Sequence, residues 1–176
     1  MAGSADAAFT LRGLNELFAL GYSDLELAEI AAGIGADCPF FIYNRPMLCT
    51  GTGTDMRPIN VNLTGMTIAV VKPEVSVPTA KAYSKTHPAV PPVSIEEIIA
   101  TPVRLWQNAL KNDFDPSVFP EYPAIASVKE TLIESGALYT AMSGSGSSVF
   151  GLYDADILAD SLSPVLSGCQ IFVAKL

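Results

Sequence analysis

The sequence predicts an α+β protein with a layered sheet, divided into two units near residue 60. Three observations carry this. Short β-branched runs such as Ile68-Ala69-Val70-Val71 alternate with stretches whose apolar residues recur every three or four positions. Hydrophobic residues make up 49% of the 176-residue chain and charged residues only 16%, which favours a packed core over disorder. Proline-bearing stretches punctuate the second unit, and the chain has no repeat or low-complexity tract.

From Ser4, residues Ala8, Leu11, Leu14, Leu17 and Phe18 share one helical face, and Gly21 stops that helix. Ser23 and Glu26 form a capping box for a second helix carrying Leu25, Leu27, Ile30 and Ala31, which ends at Gly33 and Gly35. The run Phe40-Phe41-Ile42-Tyr43 suits a strand. Asn44-Arg45-Pro46 is a turn signal, and Met47–Thr50 is the expected return strand of a hairpin.

A new unit begins near Val61. Met66–Lys72 reads as a strand, residues 73–78 as a rigid connector and Thr79–Ser84 as a short helix. Residues 87–92 are proline-rich and read as a loop. Ser94 and Glu97 make a further capping box before Ile95, Ile98 and Ile99. Residues 102–110 are a helix candidate with Trp106 in its core face, and 112–120 read as loop. Ala124–Ser135 is amphipathic and stops at Gly136. The tail reads as strand (138–142), strand (147–153), helix (154–166) and strand (170–174).

The net charge of −8 repels a phosphate backbone, so nucleic acid is excluded as a partner. A small phosphorylated ligand is allowed, since backbone N–H groups bind anions locally. Cys38, Cys49 and Cys169 form no C-x-x-C pair and read as buried thiols of a reducing compartment. No run nears the roughly 18 apolar residues of a membrane span, and Met1-Ala2-Gly3-Ser4 lacks the features of a signal peptide. The expectation is a soluble, cytoplasmic protein.

Four motifs bear on chemistry. Gly3-Ser4-Ala5-Asp6-Ala7-Ala8 leads into a helix, where small residues and free N–H groups suit a phosphate; a plain helix cap is the other reading. Asp37, in Gly35-Ala36-Asp37-Cys38-Pro39, either presents a carboxylate to accept a substrate proton or bonds nearby backbone N–H groups as a turn residue. Ser143-Gly144-Ser145-Gly146-Ser147 joins two apolar strands. It suits either an anion-wrapping loop or a flexible turn, and no Gly-Lys-Ser/Thr follows to make it a Walker A loop. Thr79 and Tyr83 share a helical face, with Tyr83 open to stacking on a base or to burial in the core. His87 has no partner at a catalytic spacing and reads as structural.

In their order and spacing these motifs resemble the GHMP kinases, most closely the branch acting on a cytidine diphosphate-linked methylerythritol. The resemblance runs along nearly the whole chain and is strongest over Gly3–Phe41, Val75–Tyr83 and Ala141–Phe150. Gly3–Ala8 is similar to the end of the family's P-x-x-x-G-L-G-G-G-S-S-x-A-A loop, with Ala5 at the second serine. The resemblance assigns Asp37 as the catalytic aspartate of a Gly-Ala-Asp-x-Pro motif. It assigns Gly3, Ser4, Ala5, Gly144, Ser145 and Gly146 to ATP, and Thr79 and Tyr83 to the cytidine group. Thr50-Gly51-Thr52-Gly53 is similar to the family's G-x-G-E turn, with Thr54 in place of glutamate.

The implied fold is the remainder of an N-terminal domain of ribosomal protein S5 domain 2-like type (1–60) plus a ferredoxin-like C-terminal domain (61–176). The implied reaction is phosphorylation of a 2-hydroxyl by ATP with Mg²⁺ in the non-mevalonate isoprenoid pathway. Alternatives are another GHMP small-molecule kinase, or a non-catalytic folded fragment or interaction module. The family's catalytic lysine matches no residue of this chain. The expectation is therefore an N-terminally truncated chain, inactive alone, whose first two helices expose an apolar face and pair with another copy.

Overall fold

A computed structural model describes residues 2–51, 53–86 and 89–176, so the readings made at Met1, Thr52 and His87 lie outside the described residues. The chain divides into two compact units, Met1–Val61 and Asn62–Leu176.

The first unit opens with helix α1 (Ala2–Leu17), followed by α2 (Asp24–Ala32) and α3 (Cys38–Tyr43). The capping box at α2 forms as the sequence implies: Glu26 N–H donates to Ser23 Oγ, and Ser23 N–H donates to the Glu26 carboxylate. The three helices share a small core of Ala8, Leu27, Ala28, Ala31, Cys38 and Ile42. Arg12 ties α1 to the end of α3, its Nη1 donating to Ile42 O at 2.6 Å.

The strand expected at Phe40–Tyr43 is a helix instead. Pro39 sits in its first turn, where its missing N–H costs nothing, and Asn44 ends it in the left-handed conformation (φ 45°). Four apolar residues are too few to separate a helical period from a strand. The hairpin is real but shifted: β1 (Met47–Thr50) pairs antiparallel with β2 (Asp55–Pro58), a strand the sequence reading did not find. Along α1 only the first half of the apolar stripe is covered. Ala8 is buried, whereas Phe9, Leu14, Leu17 and Phe18 are exposed.

The second unit is an antiparallel sheet in the order β4-β5-β3-β6, with β3 (Thr67–Lys72), β4 (Tyr139–Met142), β5 (Val149–Tyr153) and β6 (Gln170–Lys175). The first strand lies at the centre between the third and the fourth, as in a ferredoxin-like sheet. In β3, Thr67, Ala69 and Val71 are buried while Ile68 and Val70 are half-buried, the period-two signature of a two-faced strand. One face joins the core with Ile125, Val128 and Leu132 of α7 (Pro123–Glu134).

At β4, Tyr139 packs edge-on to Trp106 and Phe150, at 5.7 and 5.9 Å between ring centres. Trp106 is buried, as expected, on the 3₁₀ turn Val103–Asn108. Beside it Gln107 pairs with the backbone of β4: its Oε1 accepts from Thr140 N at 2.7 Å and its Nε2 donates to Thr140 O at 3.2 Å.

Three expectations need correction here. The region 112–120 holds a short helix, α6 (Asp115–Val118), with Pro116 in its first turn. The helix expected at 154–166 shrinks to α8 (Ala159–Leu162): residues 154–158 are not helical, and Pro164 has no N–H to continue the helix at its other end. Cys49 is exposed rather than buried, whereas Cys38 is buried. The short helices α4 (Thr79–Ser84) and α5 (Ile95–Ile99) form where the sequence places them, the latter with the Ser94–Glu97 capping box intact. Among the described residues, no helix is long and apolar enough to cross a membrane.

Candidate functional site

In the second unit, two separated stretches of sequence meet. The loop after β4 carries Gly144 at φ 54° and Gly146 at φ 89°, conformations open to glycine at little cost. Gly146 is also sterically confined: a Cβ there would lie 2.8 Å from Met142 Sδ and 3.6 Å from Val77 Cγ2. The loop is closed by Ser143 N donating to Ser148 O (2.8 Å) and Gly146 N to Ser143 O (3.0 Å). Ser145 Oγ reaches Thr79 Oγ1 at 3.4 Å, so the loop touches the start of α4.

One turn further along α4, Tyr83 is 64% exposed, which removes the core reading for this ring. It is braced edge-on by Phe114 at 4.8 Å and 77°. Opposite charges hold the helix beneath it: Lys81 and Lys85 both pair with Glu121. Those hydrogen bonds hold the Glu121 carboxyl below its ordinary pKa and push Lys81 up. An exposed aromatic on a braced helix beside a glycine loop can stack on a base while the loop meets its phosphates.

Asn112 and Phe114 were not among the residues the sequence singled out. Asn112 Nδ2 donates to Met142 O (2.7 Å) and Gly144 O (2.8 Å), and its Oδ1 accepts from Phe114 N (2.9 Å). The last bond is an Asx-turn, the one part legible locally. A cleft lined by Lys85, Gln107, Lys111, Asn112, Asp115 and Lys129 opens beside it. There Lys129 Nζ donates to Asp115 Oδ2 at 2.6 Å. Burial pushes the Asp115 carboxyl up, and the Lys129 bond opposes that shift.

The remaining predicted residues lie in the first unit. Gly3, Ser4 and Ala5 fall in the first turn of α1, where the helical pattern leaves backbone N–H groups over. Asp37 is exposed at the start of α3 and makes no capping hydrogen bond to it, unlike the turn-aspartate alternative. Its neighbour Cys38 belongs to the same buried cluster as Ala8 of α1. Partial burial of the Cys49 thiol, then the charge of Asp37, push that thiol up. No group of three or more His, Cys, Asp or Glu residues able to hold a metal occurs among the described residues.

Comparison with known proteins gives a consistent answer. The model for the GHMP kinases N terminal domain matches residues 2–45, and the model for GHMP kinases C terminal matches 94–165. A protein of Parabacteroides distasonis named 4-diphosphocytidyl-2-C-methyl-D-erythritol kinase is 52% identical over 152 residues, covering 86% of this chain and 56% of the relative. A Cytophaga hutchinsonii protein of the same name is 43% identical over 153 residues, covering 86% of this chain and 57% of the relative. The chain thus spans little more than half the length of these curated relatives.

The crystal structure of a 4-(cytidine 5'-diphospho)-2C-methyl-D-erythritol kinase superposes with a TM-score of 0.81 at 28% identity, covering 97% of this chain and 63% of that one. The homoserine kinase of Cytophaga hutchinsonii, at 16% identity and TM-score 0.67, covers 93% of this chain and 61% of its own and shares the fold.

Proposed function

The chain belongs to the GHMP kinases, and on that premise we propose that it carries the acceptor carboxylate, glycine loop and base platform of a kinase for 4-diphosphocytidyl-2-C-methyl-D-erythritol. The phosphoryl donor is ATP. Residues 1–60 belong to the N-terminal domain and residues 61–176 to the C-terminal domain.

In this reading the 2-hydroxyl of the substrate gives its proton to the Asp37 carboxylate. The hydroxyl oxygen bonds to the γ-phosphorus of ATP, the bond from that phosphorus to the bridging oxygen breaks, and ADP leaves. Asp37 is free for this because it spends no hydrogen bond on capping α3. Gly3, Ser4 and Ala5 offer N–H groups at the first turn of α1, and Gly144, Ser145 and Gly146 offer a loop of small residues, both suited to phosphate oxygens.

Mg²⁺, when bound, offsets phosphate charge. Among the described residues no cluster of three or more His, Cys, Asp or Glu side chains forms a closed cage, so the ion would be held through substrate phosphates and water. The non-mevalonate isoprenoid pathway is the setting, and the cytoplasm the compartment.

The observation that carries the cytidine assignment is the exposed Tyr83 ring, braced by Phe114 on the helix whose Thr79 meets the glycine loop. Stacking of a base on one aromatic ring contributes about 1–3 kcal/mol. Calorimetric titration with cytidine 5'-diphosphate tests the assignment. We expect binding that Tyr83→Ala weakens by roughly 5- to 150-fold, with the fold retained by circular dichroism. Equal affinity of the two proteins sinks the platform role, and tighter binding of mevalonate or homoserine than of the cytidine ligand sinks the substrate assignment.

A further inference from the structure

We infer that Asn112 is a positioning residue that sets the glycine loop and the Tyr83 platform in register, so that one ligand engages both. The inference rests on the cytidine-binding reading above and deepens it.

The amide of Asn112 has two N–H donors, and each is spent on a different carbonyl of the loop, Met142 O at 2.7 Å and Gly144 O at 2.8 Å. Those carbonyls lie 30 and 32 residues away in sequence, so the bonds are tertiary and not part of a local turn. Their effect on an anion follows from peptide geometry. The C=O and N–H of a trans peptide point in opposite directions. Holding Gly144 O against Asn112 therefore turns the Ser145 N–H away from it, and holds a repulsive carbonyl back from the loop's other side. Ser145 N–H makes no backbone hydrogen bond among the described residues, while the Ser143 and Gly146 N–H groups close the loop.

The other end of the side chain acts on the platform. Asn112 Oδ1 accepts from Phe114 N at 2.9 Å, and the Phe114 ring braces Tyr83 at 4.8 Å. A single planar group thus fixes both the loop that faces phosphate and the ring that faces the base. Thr79 and Ser145 close the circuit from the opposite side at 3.4 Å.

The two ends of the side chain can be separated chemically. Asn112→Asp keeps an oxygen for Phe114 N but replaces both donors with an acceptor. Asn112→Ala removes both ends. Hydrogen–deuterium exchange and titration with cytidine 5'-diphosphate are measured on the full chain for both variants. In Asn112→Asp, exchange at the Ser143 and Gly146 amides is expected to quicken at least fivefold, with the Phe114 amide unchanged. In Asn112→Ala, the Phe114 amide quickens as well. Both variants should bind cytidine 5'-diphosphate at least fivefold more weakly, at a temperature where both remain fully folded by circular dichroism.

Unchanged loop exchange in Asn112→Asp overturns the inference. So does affinity equal to wild type in both variants. Failure of the wild-type chain to bind cytidine 5'-diphosphate is a different outcome. It sinks the cytidine reading itself and the coupling built on it.

Discussion

Replacing Lys129 with methionine isolates the charge of Asp115. In the wild-type chain the ammonium donates to Asp115 Oδ2 at 2.6 Å, with the two side chains only 19% and 16% exposed. The second carboxylate oxygen, Oδ1, is buried without a hydrogen-bond partner among the described residues. The lysine is therefore the main compensation for a largely desolvated charge. A hydrogen bond to a charged group contributes about 1.5–3 kcal/mol net. Breaking a fully buried pair costs about 3–5 kcal/mol. Residual exposure puts this pair near the lower range, at about 2 kcal/mol at pH 7. Methionine keeps an unbranched apolar stem beside Phe119, so little packing is lost.

The pH dependence carries the argument. An acid whose folded pKa is raised binds more protons in the folded state, so its contribution to stability falls as pH rises from the unfolded pKa through the folded one. Burial already raises Asp115, and removing Lys129 raises it further. The deficit of the variant should therefore be full at pH 7 and shrink by half or more near pH 4. Urea unfolding is followed by Trp106, the single tryptophan, which is buried in the same unit as Lys129 and Asp115. With a slope of about 2 kcal/mol/M, the midpoint falls by about 1 M at pH 7. The same fall at both pH values, or one under about 0.3 M at pH 7, refutes the account.

Three more outcomes are expected. Tyr139→Phe loses the bond from the phenol to Leu110 O and costs about 1 kcal/mol at neutral pH by chemical unfolding. Burial, then the charge of Asp115, push this phenol up to about 12. Wild-type stability should therefore decline as pH rises from the unfolded phenol value of about 10 toward 12, and the deficit of Tyr139→Phe should narrow between pH 8 and pH 10.5. Gly146→Ala must place a Cβ 2.8 Å from Met142 Sδ at φ 89°; a loss of about 1–3 kcal/mol in thermal unfolding, with weakened cytidine 5'-diphosphate binding, is expected. The exposed Phe9, Leu14, Leu17 and Phe18 of the first unit should drive self-association, so light scattering should show a species larger than a monomer that Leu17→Lys with Phe18→Lys disperses.

The parts of this protein legible in its sequence are those encoded by contiguous residues. Both capping boxes, at Ser23 and Ser94, place their helix starts because cap and partner lie three residues apart. The central strand at 67–72 is marked by its β-branched run. The helix at Phe40–Tyr43 was not legible, because Pro39 and Asn44 suit a helix start and stop as well as a turn.

The site divides the same way. Glycines and serines announce the 143–147 loop, and a threonine–tyrosine pair marks one face of α4. Asn112 stayed hidden because its defining bonds reach Met142 and Gly144 across 30 and 32 residues. Nothing in the string Asn112-Asp113-Phe114 records that distance. Tyr83 carried both a core and a stacking reading in the sequence, and its exposure in the structure removes the core one.

Gln107 has a consequence for how the protein behaves in a crowded solution. A strand at the margin of a sheet offers unpaired N–H and C=O groups to any extended peptide. Here the primary amide of one side chain, matched donor to acceptor with Thr140, occupies that margin as a strand backbone would. The β4 side is thereby capped against cross-chain templating, and β6 remains as the outer strand with its Lys175 charge near one end. The sheet accordingly has one margin sealed by a neutral side chain, so fibrous growth by strand addition is opposed at β4.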